Sequence, residues 1–189
     1  MYGETTEFLD ELSPFNPVSP YAVSKLSCYQ ICQYYFRTYS LDVRQAIGFN
    51  HESPFRNELF VTRKITSHIA KHGDTRELQL GNVDAVRDWG HAKDFVKAYH
   101  LIMTKGKPGT AYVVATGESS SVREFVQFCY AANGFKNLKW LADGLYSQNR
   151  RLVSINTPEH TRPKDVPHLR GNTDKIRSEL GWQPSYSWR

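Results

Sequence analysis

The sequence predicts an α/β fold built on a parallel sheet. Three observations carry that expectation. Apolar strand-like runs alternate with helical patterns along the 189 residues. The run "TAYVVAT" (110–116) is almost continuously apolar, the pattern of a strand covered on both faces. The helical stretches also carry start and stop residues where a helix needs them.

The first helix opens at "SPYAVSK". Ser19 can accept a bond from an unpaired backbone N–H, and Pro20 suits the first helical position, where its missing N–H is not needed. Apolar residues recur at Ala22, Leu26, Tyr29, Cys32, Tyr35 and Phe36, close to helical spacing. "LDVRQAIGFN" (41–50) reads as a strand, followed by a polar loop through Arg56. "ELFVTRKITSHIAKHG" (58–73) is a second helix, apolar at Phe60, Ile65 and Ile69 and stopped by Gly73. "ELQLG" (77–81) is a short alternating strand. "HAKDFVKAYHLIMTKG" (91–106) is a third helix, with a stripe of Phe95, Val96, Tyr99, Ile102 and Met103 and a stop at Gly106. After "TAYVVAT", Ser121 and Glu124 form a capping box for "VREFVQFCYAANG". A less regular segment holds a candidate strand, "RLVSI" (151–155). "NTDKIRSELGW" closes as a short helix, capped by Asn172 or Thr173 and stopped by Gly181.

Composition narrows the class. With 40% apolar and 23% charged residues the chain reads as a soluble globular protein. No apolar run approaches membrane-spanning length, and the acidic start "MYGETTEFLDEL" lacks a signal-peptide pattern. Three cysteines do not make a disulfide framework; Cys28 and Cys32, one helical turn apart, suit core packing. A reducing compartment, the cytoplasm, is expected. The net charge of +5 favours an anionic partner. Because the cations are scattered and no nucleic-acid motif occurs, a small phosphorylated ligand fits better than nucleic acid.

The chemistry-bearing pattern is Tyr21 and Lys25. At i and i+4 they share one helix face. A phenol ionises near pH 10, too high for a base at neutral pH, and an ammonium alongside favours the phenolate. The residues alone leave two readings open: an acid–base dyad, or two polar groups on a solvated face. His68 and His72 share the same spacing, but no Glu completes an H-E-x-x-H arrangement, so a solvated helix end is expected and no metal site. Tyr29, Tyr34, Tyr35, Phe36 and Tyr39 suit core packing better than an interface. No glycine-rich turn of the kind that places a pyrophosphate at a helix N-terminus occurs. The chain therefore reads as a middle-to-late piece of a larger protein.

Several stretches together resemble a known family. "SPYAVSK" resembles the Tyr-x-x-x-Lys helix of the extended short-chain dehydrogenase/reductases that act on nucleotide sugars. "RDWGHAKDFVKAYHL", "RPKDV" and "LGWQPSY" are similar to further signatures of that group. "FNHESPFR", "FVTRKI", "LGNVDAVRDWGHAKDF" and "ATGESSSVREFV" narrow the resemblance to the GDP-mannose 4,6-dehydratase family, from Met1 to Trp182.

The resemblance implies a partial doubly wound parallel sheet, Rossmann-like and of the NAD(P)-binding superfamily, plus a smaller α/β substrate-binding domain. It assigns residues 1–50 and 84–117 to the later part of a dinucleotide-binding domain, and 51–83 and 118–189 to a nucleotide-sugar-binding domain. The implied activity is a hydro-lyase that dehydrates GDP-mannose with NADP, in a homo-oligomeric parent. The family's glycine turn and its Ser/Thr-Ser-Glu stretch, which supplies the C5 base, would precede Met1, so this segment alone is expected to be inactive. Tyr21 and Lys25 match the catalytic pair and also contact the cofactor. His51 and Arg56 match NADP contacts, although the family usually has two adjacent arginines where this chain has Phe55 and Arg56. Asn50, Glu52 and Lys64 match substrate-side positions. Arg87 and Arg162 match arginines that clamp the diphosphate, for which the planar guanidinium fork is suited. Asp165 stands where the family has a glutamate, one methylene shorter. Two other readings stay open: a different nucleotide-sugar epimerase or dehydratase, and a non-catalytic GDP-sugar-binding or assembly module.

Overall fold

The computed structural model describes residues 1–160 and 166–188. In chain order the elements are α1 (Pro20–Tyr39), β1 (Gln45–Gly48), β2 (Asn50–Glu52), α2 (Val61–His72), β3 (Leu78–Gln79), β4 (Val86–Arg87), β5 (Trp89–His91) and α3 (Ala92–Lys105). They continue with β6 (Ala111–Val114), β7 (Ser120–Ser121), α4 (Val122–Ala132), β8 (Leu138–Leu141), β9 (Gly144–Ser147), β10 (Arg150–Ser154), β11 (His168–Leu169) and α5 (Asp174–Leu180). The chain divides into two compact units.

The first unit holds Met1–His51, Arg87–Ser119 and Val166–Trp188. Its centre is the parallel pair β1–β6, with Gln45 opposite Ala111 and Gly48 opposite Val114. Every residue of β6 is buried. Alternate residues face opposite cores, as strand geometry requires. Ala111, Val113 and Ala115 pack with Tyr2, Leu9, Ile47 and Phe49, whereas Tyr112 and Val114 pack with Phe95, Ala98, Ile102, Ile176 and Trp182. Two charged side chains bond the β6 backbone: the Val113 N–H donates to Glu11 Oε1 at 2.6 Å and Lys175 Nζ donates to the Ala111 carbonyl at 2.8 Å.

Helix α1 starts as its sequence requires. Ser19 Oγ accepts from the Ala22 N–H at 3.1 Å, with Pro20 in the first turn. Its packing departs from expectation. Only Ala22 is buried. Tyr34, Tyr35 and Tyr39 are exposed and lie against one another, with ring centroids 5.5–6.0 Å apart, while Tyr29 and Phe36 are half-buried. Cys28 is exposed too, and Cys129 is the buried cysteine. Exposed apolar residues of this unit thus lie on α1, and also at Leu12, Leu41, Val96 and Met103, while the strand 110–116 is covered. Where α1 does pack, it packs tightly. Phe36 would stand 2.1 Å from a Cβ at position 109, whose φ of +72° also calls for glycine.

The expected division placed 118–189 in one domain. Instead, Val166–Trp188 packs in the first unit. Ile176 and Trp182 fill the core beside Phe95, and Trp182 Nε1 donates to the Asp94 carbonyl at 3.1 Å. The Asp94 carboxylate then accepts from the Ser185 and Tyr186 N–H groups at 2.7 and 2.9 Å.

The second unit comprises residues 52–86 and the described residues 120–160. Its sheet has the order β3-β10-β9-β8, parallel between β3 and β10 and antiparallel otherwise. Helices α2 and α4 pack together, burying Ile65, Ile69, Val126 and Tyr130. The capping box forms as read: Ser121 Oγ accepts from the Glu124 N–H and the Glu124 carboxylate accepts from the Ser121 N–H. Gly73, at φ +56°, ends α2.

Candidate active site

Tyr21 sits in the first turn of α1 and is 71% exposed. Lys25 follows one turn on, also exposed, with Nζ 5.4 Å from the centre of the Tyr21 ring. The helix start described above fixes both, because Ser19 and Pro20 set the register that puts Lys25 over Tyr21. The two groups are adjacent and reachable from solvent, as a base and its supporting cation must be.

Asn50 and His51 continue from the C-terminal end of β1 into β2. His51 is engaged on several sides. Its Nδ1–H donates to the Phe49 carbonyl at 2.9 Å, and its ring stacks on Phe95 at 4.4 Å and meets the Tyr99 edge at 6.3 Å. Arg87 ends β4, half-buried, with Nη1 donating to the Pro167 carbonyl at 3.3 Å.

Next to Arg87, Asp88 has no exposed surface. Its Oδ1 accepts from the Thr116 N–H at 2.8 Å and the Thr116 hydroxyl at 2.7 Å; its Oδ2 accepts from the Gly117 N–H at 2.9 Å. The Gly171 N–H also faces this carboxylate and favours its charged form. Burial pushes its pKa up, against the pull of these donors. Sequence reading passed over Asp88, since an acid between Arg and Trp carries no periodic signal.

In the second unit Glu52 and Arg56 pair with each other at 3.2 Å. The Arg56 guanidinium lies 3.4 Å from the centre of the Phe60 ring. Phe55, standing where the family usually has another arginine, is 96% exposed. Lys64 Nζ donates to the Gln79 carbonyl at 2.7 Å, and burial holds its ammonium below the usual lysine value. Residues 52–56 run from the end of β2 into a turn, so their spacing gave no helical sign of this pairing. Arg162 and Asp165 lie outside the described residues. His68 and His72 have ring centres 5.0 Å apart, with His68 Nε2–H donating to the Arg76 carbonyl at 2.8 Å. Among the described residues no group of three His, Cys, Asp or Glu could hold a metal, and no helix is long and apolar enough to cross a membrane. A cavity of about 220 Å³ in the first unit, lined by Trp89, Thr116, Glu118 and 184–188, includes none of the sequence-predicted residues.

The sequence profile described as GDP-mannose 4,6 dehydratase matches residues 1–189. The chain belongs to the GDP-mannose 4,6-dehydratase family. Family relatives bear this out. GDP-mannose 4,6 dehydratase 2 of Caenorhabditis elegans is 41% identical over 97% of this chain and 50% of its own length. GDP-mannose 4,6-dehydratase of Sinorhizobium fredii (strain HH103) is 39% identical over 100% of this chain and 56% of its own. The chain thus spans about half the length of these curated relatives. Among solved structures, dTDP-glucose 4,6-dehydratase from Bacillus anthracis, in complex with NAD, superposes with a TM-score of 0.82 at 22% identity, over 98% of this chain and 54% of that one. RMD from Pseudomonas aeruginosa, complexed with NADPH, gives 0.79 at 25% identity, over 98% and 59%. The α/β class with parallel strands expected from the sequence is the fold of these proteins, of which the family chain holds a part.

Proposed function

We propose that the enzyme carrying this sequence removes water from GDP-mannose to give GDP-4-dehydro-6-deoxy-mannose, the first step toward GDP-fucose and related deoxysugars. The observation that carries the reading is the Tyr21–Lys25 pair, side by side and open to solvent in a chain of this family. The reaction needs a base within hydrogen-bond reach of the sugar 4-hydroxyl. Tyr21 takes that proton, and the Lys25 ammonium stabilises the charge that develops on the phenol oxygen. The cofactor of the reading is NADP, which when bound accepts a hydride from C4 and returns it at C6.

The residues present fit the nicotinamide end of such a cofactor. Tyr21 and Lys25 offer it a hydroxyl and an ammonium on an exposed turn. His51 lends a packed ring edge, since its Nδ1–H is committed to Phe49. Arg56 meets a phosphate by exchanging it for Glu52. On the substrate side Asn50, Glu52 and Lys64 contact the nucleotide sugar, Arg87 and Arg162 hold the diphosphate, and Asp165 bonds the ribose. Guanidinium groups suit that clamp because they meet phosphate oxygens two at a time. The base that removes the C5 proton is not assigned to any residue of this chain.

The test is to supply GDP-mannose and NADP to the enzyme and identify the product by mass and by its keto group. Loss of one water with no net consumption of NADP supports the reading. Conversion to an isomeric sugar of unchanged mass would assign it to the epimerases instead.

A further inference from the structure

We propose that Asp88 is a positioning residue for Arg87: its carboxylate ties the strand that carries Arg87 to the turn after β6 and to the segment 167–171. The proposal rests on the reading of Arg87 as a diphosphate clamp, and it begins from an oddity of burial. A carboxylate with no exposed surface is costly unless donors surround it. Here three donate, the Thr116 N–H and hydroxyl and the Gly117 N–H, and the Gly171 N–H faces the same group. An apolar residue could fill the same space without that cost, so what the acid supplies is a fixed arrangement.

Backbone geometry supports that. Asp88 falls at the break between β4, which lies between β11 and β7, and β5, which pairs with β2. Its own N–H donates to the Leu169 carbonyl at 3.0 Å. Arg87 reaches the same segment two residues earlier, donating to Pro167. The main chain of Asp88 and the guanidinium of Arg87 therefore both bond residues 167–171, and the Asp88 carboxylate faces the Gly171 N–H in the same segment. The close approach is written into the sequence at Gly171: a Cβ there would lie 2.3 Å from the Ala115 Cβ. Glycine lets 171 come down onto the end of β6, so that its N–H meets Asp88. The carboxylate thus sets how segment 167–171 sits against the Arg87 backbone, and through Pro167 it sets where the guanidinium points.

The test is a double-mutant cycle on the enzyme carrying this sequence, with GDP as the probe in calorimetry. Arg87→Ala is expected to weaken GDP binding roughly ten- to hundredfold. Asp88→Asn keeps the shape but faces an N–H donor with an NH2 group; it is expected to weaken GDP roughly tenfold. In the Arg87→Ala background, Asp88→Asn should cost nothing further. Thr116→Val removes the hydroxyl donor to the carboxylate, together with its bonds to Glu118, and should move GDP affinity the same way by a smaller factor. Circular dichroism guards against an unfolded Asp88→Asn. Wild-type affinity in Asp88→Asn and Thr116→Val, with Arg87→Ala weakened, overturns the positioning role and leaves the clamp standing. The same fold loss from Asp88→Asn with or without Arg87 also overturns it, since the residue then acts elsewhere. Wild-type affinity in Arg87→Ala overturns the clamp and the positioning role together.

Discussion

The two units hold their carboxylates in different ways. In the first, the acids that matter to the fold bond backbone N–H groups. Glu11 takes Val113, Asp88 takes Thr116 and Gly117, and Asp94 takes Ser185 and Tyr186. In the second, acids mostly bond cationic side chains at the surface: Glu58 with Lys71, Asp84 with Arg123, and Glu77 and Asp143 with Arg151. Surface pairs such as Arg44–Asp42 and Lys107–Glu179 exist in the first unit as well, but they join exposed or half-buried groups. Net charge follows the same line. Residues 1–51, 87–119 and 166–188 carry 11 Lys and Arg against 10 Asp and Glu; the rest of the chain carries 13 against 9. The lesson is about what each acid does. A carboxylate on backbone N–H groups fixes the path of a loop, whereas one on a surface arginine mainly tunes charge and solubility.

The largest expected effect tests whether the first unit does the chemistry. Tyr21→Phe should lower turnover by roughly two to four orders of magnitude, the usual worth of a positioned acid–base group, with GDP affinity unchanged. Steady-state kinetics with GDP-mannose checks it. Turnover close to wild type would remove Tyr21 from the mechanism.

Next comes binding. Arg87→Ala should weaken GDP by about 1.5–3 kcal/mol, the scale of a charge-assisted hydrogen bond, with little change for free mannose. Equal losses for both ligands would make Arg87 a structural residue of the first unit.

A matched pair of substitutions then sharpens the contrast directly. Asp94→Ala strands the Ser185 and Tyr186 N–H groups and should cost about 1–3 kcal/mol. Asp84→Ala removes a partner of Arg123 whose side chain is 70% exposed, and should cost under about 1 kcal/mol. Acid separates them from the other side. Burial raises the Asp94 pKa, but the two N–H bonds and Lys97 outweigh it and leave the pKa below the ordinary value. Its contribution is therefore present above the unfolded value, about 3.9, and is lost as the pH falls through its lower folded value. Asp88, with its pKa raised, has the opposite sign: its contribution is present below the unfolded value and is lost as the pH rises through the folded one. Thermal melts from pH 7 down to pH 3 should thus lose an acid-dependent component in Asp94→Asn. A melt profile that keeps that component would place the effect elsewhere.

These particular acids show where sequence reading stops. Helix ends were legible, because Ser19, Pro20, Gly73, Ser121, Glu124 and Gly181 act locally on their own backbone. The Tyr21–Lys25 pairing was legible for the same reason. The hairpin β8–β9 was missed, although "LKWL" alternates half-buried and exposed residues. So was the turn to β10, where Gln148 and Asn149 both have positive φ, the signature of a tight hairpin. The burial of Asp88 and Asp94 was beyond local pattern, since the backbone N–H groups they accept from lie at least 28 and 91 residues away in sequence. The exposure of Tyr34, Tyr35 and Tyr39 was also illegible, because periodicity shows that a helix has apolar residues and not what lies opposite them.

The last expected effect concerns an acid of the second unit that behaves like those of the first. Glu124 accepts from the Ser121 N–H at 2.8 Å and also from the Ser120 and Ser121 hydroxyls, both at 2.9 Å. It belongs to a capping box, so its work is local: it satisfies a donor that the first turn of α4 leaves unpaired. Ser121→Ala removes the reciprocal half, the hydroxyl that accepts from the Glu124 N–H at 3.1 Å. The expected loss is about 1 kcal/mol, read as a lower midpoint in urea at unchanged slope. Salt should not change that loss, because the Ser121 hydroxyl is neutral, whereas the cost of Asp84→Ala should shrink as salt screens the exposed pair. A Ser121→Ala loss that vanishes in high salt would mean that the box works through the charge of Glu124 alone. The backbone-bonded acids would then differ from the surface pairs only in degree.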